Sequence, residues 1–371
     1  MADIYNATAD YPTPSPSTSR QSSTPAPTKM SATSSSNSTD HNPSAGALSN
    51  LAIDHPPAAS NHCKSDIADT STSTVFRNMS SHISKGNTWI FKSPSRLAYR
   101  MWTIIRKCVQ SGSGCYILVE EVTAPMVEPI DEAFKNYGIR RDVRFTYEHD
   151  FNSLIIKCMS GIPHTRVSRS FISGVTSRIE GIPGHSEFSY HHTGNGRFNV
   201  VGKRSKEGDE GLAPAGTRDA ETSWPSFVVE IGDSESLKSL RGDASWWLVN
   251  SCGQTRMVII IKITKAPVEL CLEQWVMVED KSQRSTRSHQ PKVPGRVNYW
   301  EIDAEGEVTH NKKSDDFDSP EEDPNEKKSE DLIIPYRMVF DIGHDNAMDI
   351  VISKAYMKQW ALHQFKGLER R

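Results

Sequence analysis

The fold is decided by three consecutive segments, WPSFVVEIG at residues 224–232, SESLKSLRGDASWWL at 234–248 and MVIIIKI at 257–263. The first and third are dense apolar runs of strand length, and the second repeats apolar residues at helical spacing. Strand, helix and further strand in succession are typical of an α/β fold. The third segment is the most hydrophobic of the chain, which predicts a central strand covered on both faces.

Helical periodicity and short apolar runs alternate along the rest of the chain. Helices are predicted over 95–108, 127–137, 164–180, 234–249 and 353–365. Strands are predicted over 116–122, 152–158, 226–231, 257–263, 274–278, 298–302 and 333–340. A hairpin is predicted between 187–192 and 197–202, because Asn195-Gly196 suits a tight turn. This order of elements predicts an α/β sandwich on a mixed central sheet.

Composition separates a folded part of the 371 residues from polar segments. Ser, Thr and Pro make up 25 of the first 50 residues, too little apolar surface to offset the entropy of ordering a chain. Nine acids stand against two lysines in residues 315–331, which is typical of a solvated linker. The predicted domains are a long disordered tail (1–86), an N-terminal α/β extension (87–144), a core (145–314) with a basic loop (281–296), an acidic linker (315–331) and a C-terminal strand and helix (332–371).

Charge and motifs exclude several classes of protein. The net charge of −3 gives no global basic field, so a nucleic-acid site must be a local patch. A polar N-terminus and the lack of a long apolar run predict an intracellular protein with no membrane partner. No phosphate-binding loop, dinucleotide fingerprint or nucleophile elbow occurs, so no organic cofactor is expected. The six cysteines include no CxxC pair, which argues against a structural zinc site.

Two carboxylates are candidates for a functional site, one inside an apolar strand and one at the end of a turn. Glu230 lies inside the apolar strand FVVEI, and Asp209 ends the turn KEGD that precedes it in the chain. A buried carboxylate needs a metal, a cation or water to offset its desolvation. If neighbouring strands bring both acids to one strand end, their oxygens suit Mg²⁺ or Mn²⁺. The alternative is that Glu230 faces solvent at a sheet edge and Asp209 only holds a turn.

The same residues carry a family resemblance. KEGD at 206–209, WPSFVVEIG, the helix after it and the strand VIIIKI resemble a group of uncharacterised fungal proteins related to the PD-(D/E)XK restriction-endonuclease-like superfamily. HDFNSLIIKCMSGIPH at 149–164 resembles the same group's approach to its core, so the resemblance covers roughly residues 145–265. It implies a restriction-endonuclease-like fold with a core of helix, hairpin, strand, helix and strand. It also implies that Asp209 and Glu230 bind the catalytic metal.

The resemblance departs from the superfamily pattern at two positions. That pattern has a lysine two residues after the second acid, where this chain has Gly232. Some members supply the cation from the following helix, which makes Lys238 and Arg241 the candidates here. Arginine stays protonated, so it stabilises negative charge but does not activate water. The first helix of the group often carries an acid next to a histidine, but Thr165 follows His164 here.

The sequence therefore leaves three functions open. The first is a metal-dependent nuclease that hydrolyses phosphodiester bonds through Asp209, Glu230, Lys238 and Arg241. The second is a catalytically inactive module on the same fold that binds nucleic acid or protein. The third is an interaction scaffold that binds no nucleic acid. Residues 85–107 hold six Lys and Arg, no acid and several aromatic residues, which suits either a phosphate-binding surface or a solvated helix face.

Overall fold

A computed structural model describes residues 68–111, 114–158, 162–194, 196–200, 202–233, 235–280, 292–311, 330–343 and 347–368. The predicted tail up to residue 67, most of the basic loop and most of the acidic linker lie outside these ranges. Residues 292–296 of the predicted basic loop are the start of a long strand, Lys292–Ile302. None of the helices in the described part of the chain has the length and apolar character that a membrane crossing requires.

The periodicity predicts five helices, and all five are confirmed with ends that shift by no more than three residues. The helices are α1 Ala68–Ser81, α2 Pro94–Ser111, α3 Val127–Asn136, α4 Ile162–Glu180, α5 Leu237–Asn250, α6 Tyr336–Val339 and α7 Lys354–Phe365. Near the start of α2 the backbone N–H of Arg96 donates to Ser93 Oγ at 3.3 Å. At α5, Ser236 is the N-cap and accepts from the N–H of Ser239 at 3.1 Å.

Helix α1 lies inside the range predicted to be disordered, so the folded part of the chain begins earlier than composition indicates. Phe76 and Met79 are buried and pack against Leu118 and Ile155. The helix approaches α5 closely, because a Cβ at Gly242 would lie only 3.0 Å from Met79 Cγ. The composition of a long polar segment does not reveal a short helix that is held by two buried apolar side chains.

Two mixed sheets form the body of the structure. The first sheet has the order β1-β2-β4-β3-β7-β6, in which only β1 and β2 are parallel. Its strands are β1 Thr88–Ile90, β2 Cys115–Glu120, β3 Val143–Glu148, β4 Ser153–Cys158, β6 Arg197–Val200 and β7 Arg204–Glu207. The predicted boundary between residues 144 and 145 falls inside β3, so the extension and the core share this sheet.

The second sheet has the order β13-β12-β11-β10-β9-β8-β5, with β9 and β10 as its parallel pair. Its strands are β5 Tyr190–His192, β8 Glu210–Pro214, β9 Phe227–Gly232, β10 Met257–Lys265, β11 Val268–Glu279, β12 Lys292–Ile302 and β13 Val308–Asn311. The prediction that residues 257–263 form a central strand is confirmed, since β10 lies between β9 and β11 with most of its residues buried. A third sheet pairs β14 Leu332–Ile334 with β15 Ile350–Ile352.

Two predictions about strands differ from the structure. The expected hairpin of 187–192 and 197–202 is wrong, because β5 pairs with β8 in the second sheet while β6 pairs with β7 in the first. The turn at Gly196 therefore carries the chain from one sheet to the other. The strand expected over 333–340 ends at Ile334, and helix α6 follows Pro335, which cannot donate to a ladder.

Helices cover the sheets in layers. Helices α2 and α3 pack on one face of the first sheet, and α4 and α7 on one face of the second. Helices α1 and α5 lie between the two sheets, against the remaining faces. The chain is thus a mixed α/β protein, and its two sheets face each other across a shared inner layer.

Candidate active site

Asp209 and Glu230 meet at the point where the chain crosses from the first sheet to the second. Strand β7 ends at Glu207 and β8 begins at Glu210, and the register that pairs Glu210 with Val229 sets Asp209 beside Glu230. The N–H of Ile231 donates to Asp209 Oδ2 at 3.0 Å and fixes that carboxylate. Alternation along β9 turns Val229 and Ile231 toward α4, and therefore Glu230 toward the inner layer.

Gly208 allows this crossing. A Cβ at that position would lie 2.9 Å from Cζ2 of Trp247 on α5. The indole Nε1 of Trp247 in turn donates to Glu230 Oε1 at 2.6 Å. Trp247 of helix α5 thus packs against Gly208, where the chain crosses between the sheets, and also orients Glu230.

Lys157 is the cation that both acids share. It lies on β4, and its Nζ is 2.8 Å from Asp209 Oδ2 and 3.6 Å from Glu230 Oε2. A third carboxylate, that of Glu235, brings Oε1 within 3.4 Å of the same nitrogen. The ammonium also donates to the carbonyl of Ile231 at 3.1 Å. One lysine from the first sheet therefore gathers three acids from the second sheet and the segment that follows it.

A second lysine extends the cluster toward α5. Lys206 on β7 has its Nζ 2.5 Å from Asp243 Oδ1 and 3.7 Å from Glu230 Oε1. The hydroxyl of Tyr116 donates to the other oxygen of Asp243 at 3.4 Å. We name the group around both lysines the inner cluster. Its ionisable members are Lys157, Lys206, Asp209, Glu230, Glu235 and Asp243.

Two further groups approach Asp209 from other elements. Nε2 of His164 on α4 lies 3.1 Å from Asp209 Oδ2. Nε of Arg144 lies 3.9 Å from Asp209 Oδ1 and donates to the carbonyl of Gly208 at 2.9 Å. His164, noted in the sequence for the acid that it lacks beside it, is thus in contact with the first acid of the pair.

Burial and charge set the protonation of the acids. Burial would raise the pKa of Asp209, but Lys157 and then His164 outweigh it and hold that pKa well below its usual range. Burial raises the pKa of Glu230 to about 7, although Lys206 opposes the shift. It also raises the pKa of Glu235 to about 8, against the pull of Lys157. At neutral pH the inner cluster therefore holds a proton on carboxyl groups that a cation could displace.

Two carboxylate oxygens of the inner cluster make no hydrogen bond to any described residue. They are Asp209 Oδ1 and Glu235 Oε2, and both are buried. Glu235 also lines a cavity of about 360 Å³ together with Ile83, Tyr116 and Ser239. Buried acceptors of this kind are expected to bind an ion or a water. An oxygen-rich donor set next to a cavity suits a hard divalent cation.

The two cations proposed from the sequence lie elsewhere. Lys238 is exposed at the start of α5. The Arg241 guanidinium binds the buried Glu273 of β11, with Nη2 2.6 Å from Oε1, and Arg296 binds the same carboxylate at 2.9 Å. The structure brings together Asp209 and Glu230, and the lysine beside them is Lys157, not Lys238 or Arg241.

Sequence reasoning missed Lys157, Lys206, Glu235 and Asp243. The signal for Lys157 was present in the strand SLIIKC, where a charge stands inside an apolar run as Glu230 does in FVVEI. The desolvation argument that selected Glu230 applies equally to a buried lysine, and it would have paired the two. No comparable signal marks Asp243, because helix α5 alternates polar and apolar residues throughout.

A separate group of possible metal ligands lies on β11 and β12. Among the described residues, Glu269, Cys271 and Glu301 bring three ligand atoms within 4.8 Å of one another. The thiol of Cys271 lies 2.9 Å from the Tyr299 hydroxyl, and that hydroxyl hydrogen-bonds Glu301. Cys271 and Glu301 thus share Tyr299 as a hydrogen-bond partner, whereas two buried oxygens of the inner cluster make no hydrogen bond.

Comparison with known proteins adds no family. No family model matches the chain, and no curated protein matches it.

Proposed function

We propose that the chain is a divergent PD-(D/E)XK-like protein with a metal-dependent phosphodiesterase centre at Asp209, Glu230 and Lys157. The element order supports the family. Helix α4 precedes the antiparallel strands β8 and β9, and α5 and β10 follow, with β10 parallel to β9. The convergence of both acids on one lysine ammonium is the observation that carries the proposal. The superfamily pattern has a lysine at the position of Gly232, and in this proposal Lys157 supplies that cation from strand β4.

The residues of the inner cluster fit a divalent metal. Asp209, Glu230 and Glu235 would hold Mg²⁺ or Mn²⁺, and the two oxygens that make no hydrogen bond, Asp209 Oδ1 and Glu235 Oε2, are the first candidates. When bound, such an ion polarises a phosphate and lowers the pKa of a coordinated water. The cavity that Glu235 lines would give an ion access to the cluster.

Lys157 acts as a fixed positive charge in this proposal. Burial would lower its pKa, but Asp209, Glu235 and Glu230 outweigh burial and hold the pKa well above its usual range. A lysine that stays protonated cannot take a proton from water. It stabilises the negative charge that develops on a phosphate, and it keeps Asp209 ionised for metal binding.

Cleavage and metal binding test this proposal together. Labelled single-stranded DNA, duplex DNA and RNA are incubated with the full chain and Mg²⁺ or Mn²⁺, and Mn²⁺ binding is followed by electron paramagnetic resonance. We expect metal-dependent cleavage that Asp209→Asn and Glu230→Gln each abolish, with weaker Mn²⁺ binding in both variants. Glu221→Gln, which changes an exposed acid, is the matched control and should retain both properties.

A second candidate function is a nucleic-acid-binding module without turnover. The side chains of Asp209 and Glu230 are 0% and 1% exposed, so a polymer does not reach them in this conformation. This candidate predicts salt-dependent binding that is indifferent to chelator. Absence of cleavage in all metals, with unchanged binding in Asp209→Asn, would select it over the nuclease.

A further inference from the structure

The outward face of α2 concentrates positive charge that nothing in the inner cluster uses. Between Asp69 and Glu120 the chain contains no acid and seven basic side chains. Six of them belong to the segment that begins just before β1 and runs through α2. They are Lys85, Lys92, Arg96, Arg100, Arg106 and Lys107, and all six are exposed. None of the six forms an ion pair with an acid of the described residues.

The helix geometry places these charges on one side. Leu97, Met101 and Ile105 are buried in the core of the first sheet and define the inward face of α2. Arg96, Arg100 and the pair at 106–107 recur at intervals of four and six residues on the opposite side, over roughly 16 Å of helix. Partial burial and then the neighbouring Arg96 lower the pKa of Arg100, as expected where like charges lie side by side.

Aromatic rings lie among the cations. Tyr99 is 54% exposed and stacks on Trp102, with ring centroids 6.3 Å apart and planes 19° apart. The Arg106 guanidinium lies 4.5 Å from the ring centre of Trp102, and that of Arg100 lies 3.6 Å from the ring centre of Trp89. The face therefore presents an exposed ring, backed by a second ring and a planar cation, between unpaired positive charges.

We propose that this face of α2 binds single-stranded nucleic acid, with Arg96, Arg106 and Lys107 on phosphates and Tyr99 stacking on a base. Charge complementarity calls for a polyanion, and an exposed planar ring suits unpaired bases because every base offers a π-face. An anionic membrane surface would satisfy the charges alone, but the exposed side of α2 offers a tyrosine where insertion favours large apolar side chains. The inference depends on the proposed function for its choice of polyanion, and it adds a binding face outside the inner cluster.

Fluorescence anisotropy of the full chain with labelled oligothymidylate in EDTA tests the proposal. We expect the binding constant to fall with salt, with a log–log slope of about −2 for the three phosphate contacts. Arg96→Gln/Arg106→Gln/Lys107→Gln should weaken binding on the order of 100-fold at low salt and reduce the slope by about 2. The control triple Lys238→Gln/Arg337→Gln/Lys366→Gln removes the same charge from exposed sites elsewhere and should bind as the wild type does.

Two further arms identify the ligand. Tyr99→Ala should weaken oligothymidylate binding at least about fivefold, and Tyr99→Phe should not. Equal losses in both charge triples would overturn the proposal, as would binding to phosphatidylserine vesicles with no binding to oligothymidylate. EDTA removes metal from the assay, so the result does not depend on the catalytic proposal. Failure of the full chain to bind oligothymidylate would overturn only the proposal for the α2 face. Absent cleavage with intact binding, unaffected by Asp209→Asn, overturns only the catalytic proposal.

Discussion

The two faces of strand β4 bury neighbouring residues in opposite ways. Ile156 is fully buried in the apolar core under α2 and α3. Lys157, the next residue, is also buried but faces the inner layer, where three carboxylates surround it. The apolar face is stabilised by contact and by exclusion of water, whatever the pH. The charged face is stable only while its positive and negative groups remain matched.

This difference shows where function is expected. The core around Ile156 is complete without a ligand, since its residues are hydrophobic and the hydroxyl of Tyr147 donates to the carbonyl of Val122. The inner cluster has more carboxyl groups than lysines, buried oxygens without hydrogen bonds and two glutamates whose pKa values are raised. Perturbed acids next to a cavity are typical of functional sites, although structural ion pairs shift pKa values too.

The largest expected effect comes from breaking the charged face of β4. Lys157→Met keeps most of the side-chain volume but leaves three buried carboxylates without their shared cation. We expect the free energy of unfolding to fall by about 3–5 kcal/mol at neutral pH, because a partnerless buried charge is costly. Ile156→Val, on the other face, should lower it by only about 1 kcal/mol. Urea unfolding monitored by circular dichroism measures both.

The exposed Lys238 supplies the control for this comparison. Lys238→Met should change the free energy of unfolding by less than about 0.5 kcal/mol. If Lys157→Met cost no more than Ile156→Val, the inner cluster would not depend on its charge balance.

The fold was predictable where periodicity is strong. Helix α4 and strand β10 were placed from their apolar spacing alone, because each buries a continuous face. The pairing of β5 and β6 was not, since a turn at Asn195-Gly196 is compatible with a hairpin and with a crossing between sheets. The residue preferences of a turn do not determine how distant strands pair, and here β5 and β6 each pair with a strand other than the one across the turn.

The candidate site was predictable only in part, for a similar reason. Asp209 and Glu230 follow from the strand order, since Asp209 directly precedes β8 and Glu230 lies on β9, the antiparallel partner of β8. Lys157 is 52 residues from Asp209 and belongs to a different sheet, so its approach depends on how the two sheets face each other. Lys238 and Arg241 were candidates because some members of the resembled superfamily supply the cation from the helix after the second acid, but here neither residue contacts Asp209 or Glu230 in the described contacts.

The next effect is the pH dependence of stability, which should differ between the inner cluster and the apolar face of β4. The ordinary pKa of Glu235 is 4.5, and burial raises it to about 8 in the folded protein. Its contribution to stability is therefore complete below its ordinary pKa and is lost as pH rises through about 8. Glu235→Gln should thus gain stability relative to the wild type, by roughly 4 kcal/mol between about pH 5 and pH 9 in EDTA.

Urea unfolding of both proteins across this range measures the trend. Ile156→Val on the apolar face is the control, because its cost should stay constant with pH. With Mn²⁺ present the wild type should recover stability at high pH, since the ion replaces the proton. A pH-independent difference between Glu235→Gln and the wild type would show that Glu235 is not a buried titrating group.

A smaller effect is expected at the crossing between the sheets. Gly208→Ala adds a methyl group 2.9 Å from Trp247 Cζ2, and the indole must shift to admit it. We expect a loss of about 1–2 kcal/mol in the free energy of unfolding, as is typical of overpacking. Because Trp247 also binds Glu230, Mn²⁺ affinity should fall as well. Gly216→Ala, at an open position with φ of +81°, strains the backbone but should leave Mn²⁺ affinity unchanged.

The smallest effect separates the inner cluster from the sequence-based choice of Arg241. Arg241→Gln removes one of two arginines from Glu273, and Arg296 remains 2.9 Å from that carboxylate. The free energy of unfolding should fall by no more than about 1 kcal/mol, because Arg241 is partly exposed and the acid keeps a partner. Cleavage and Mn²⁺ binding should stay within about twofold of the wild type, whereas Lys157→Met should abolish cleavage. A loss of cleavage in Arg241→Gln with intact Mn²⁺ binding would instead restore Arg241 as a catalytic residue and require α5 to move toward Asp209 and Glu230.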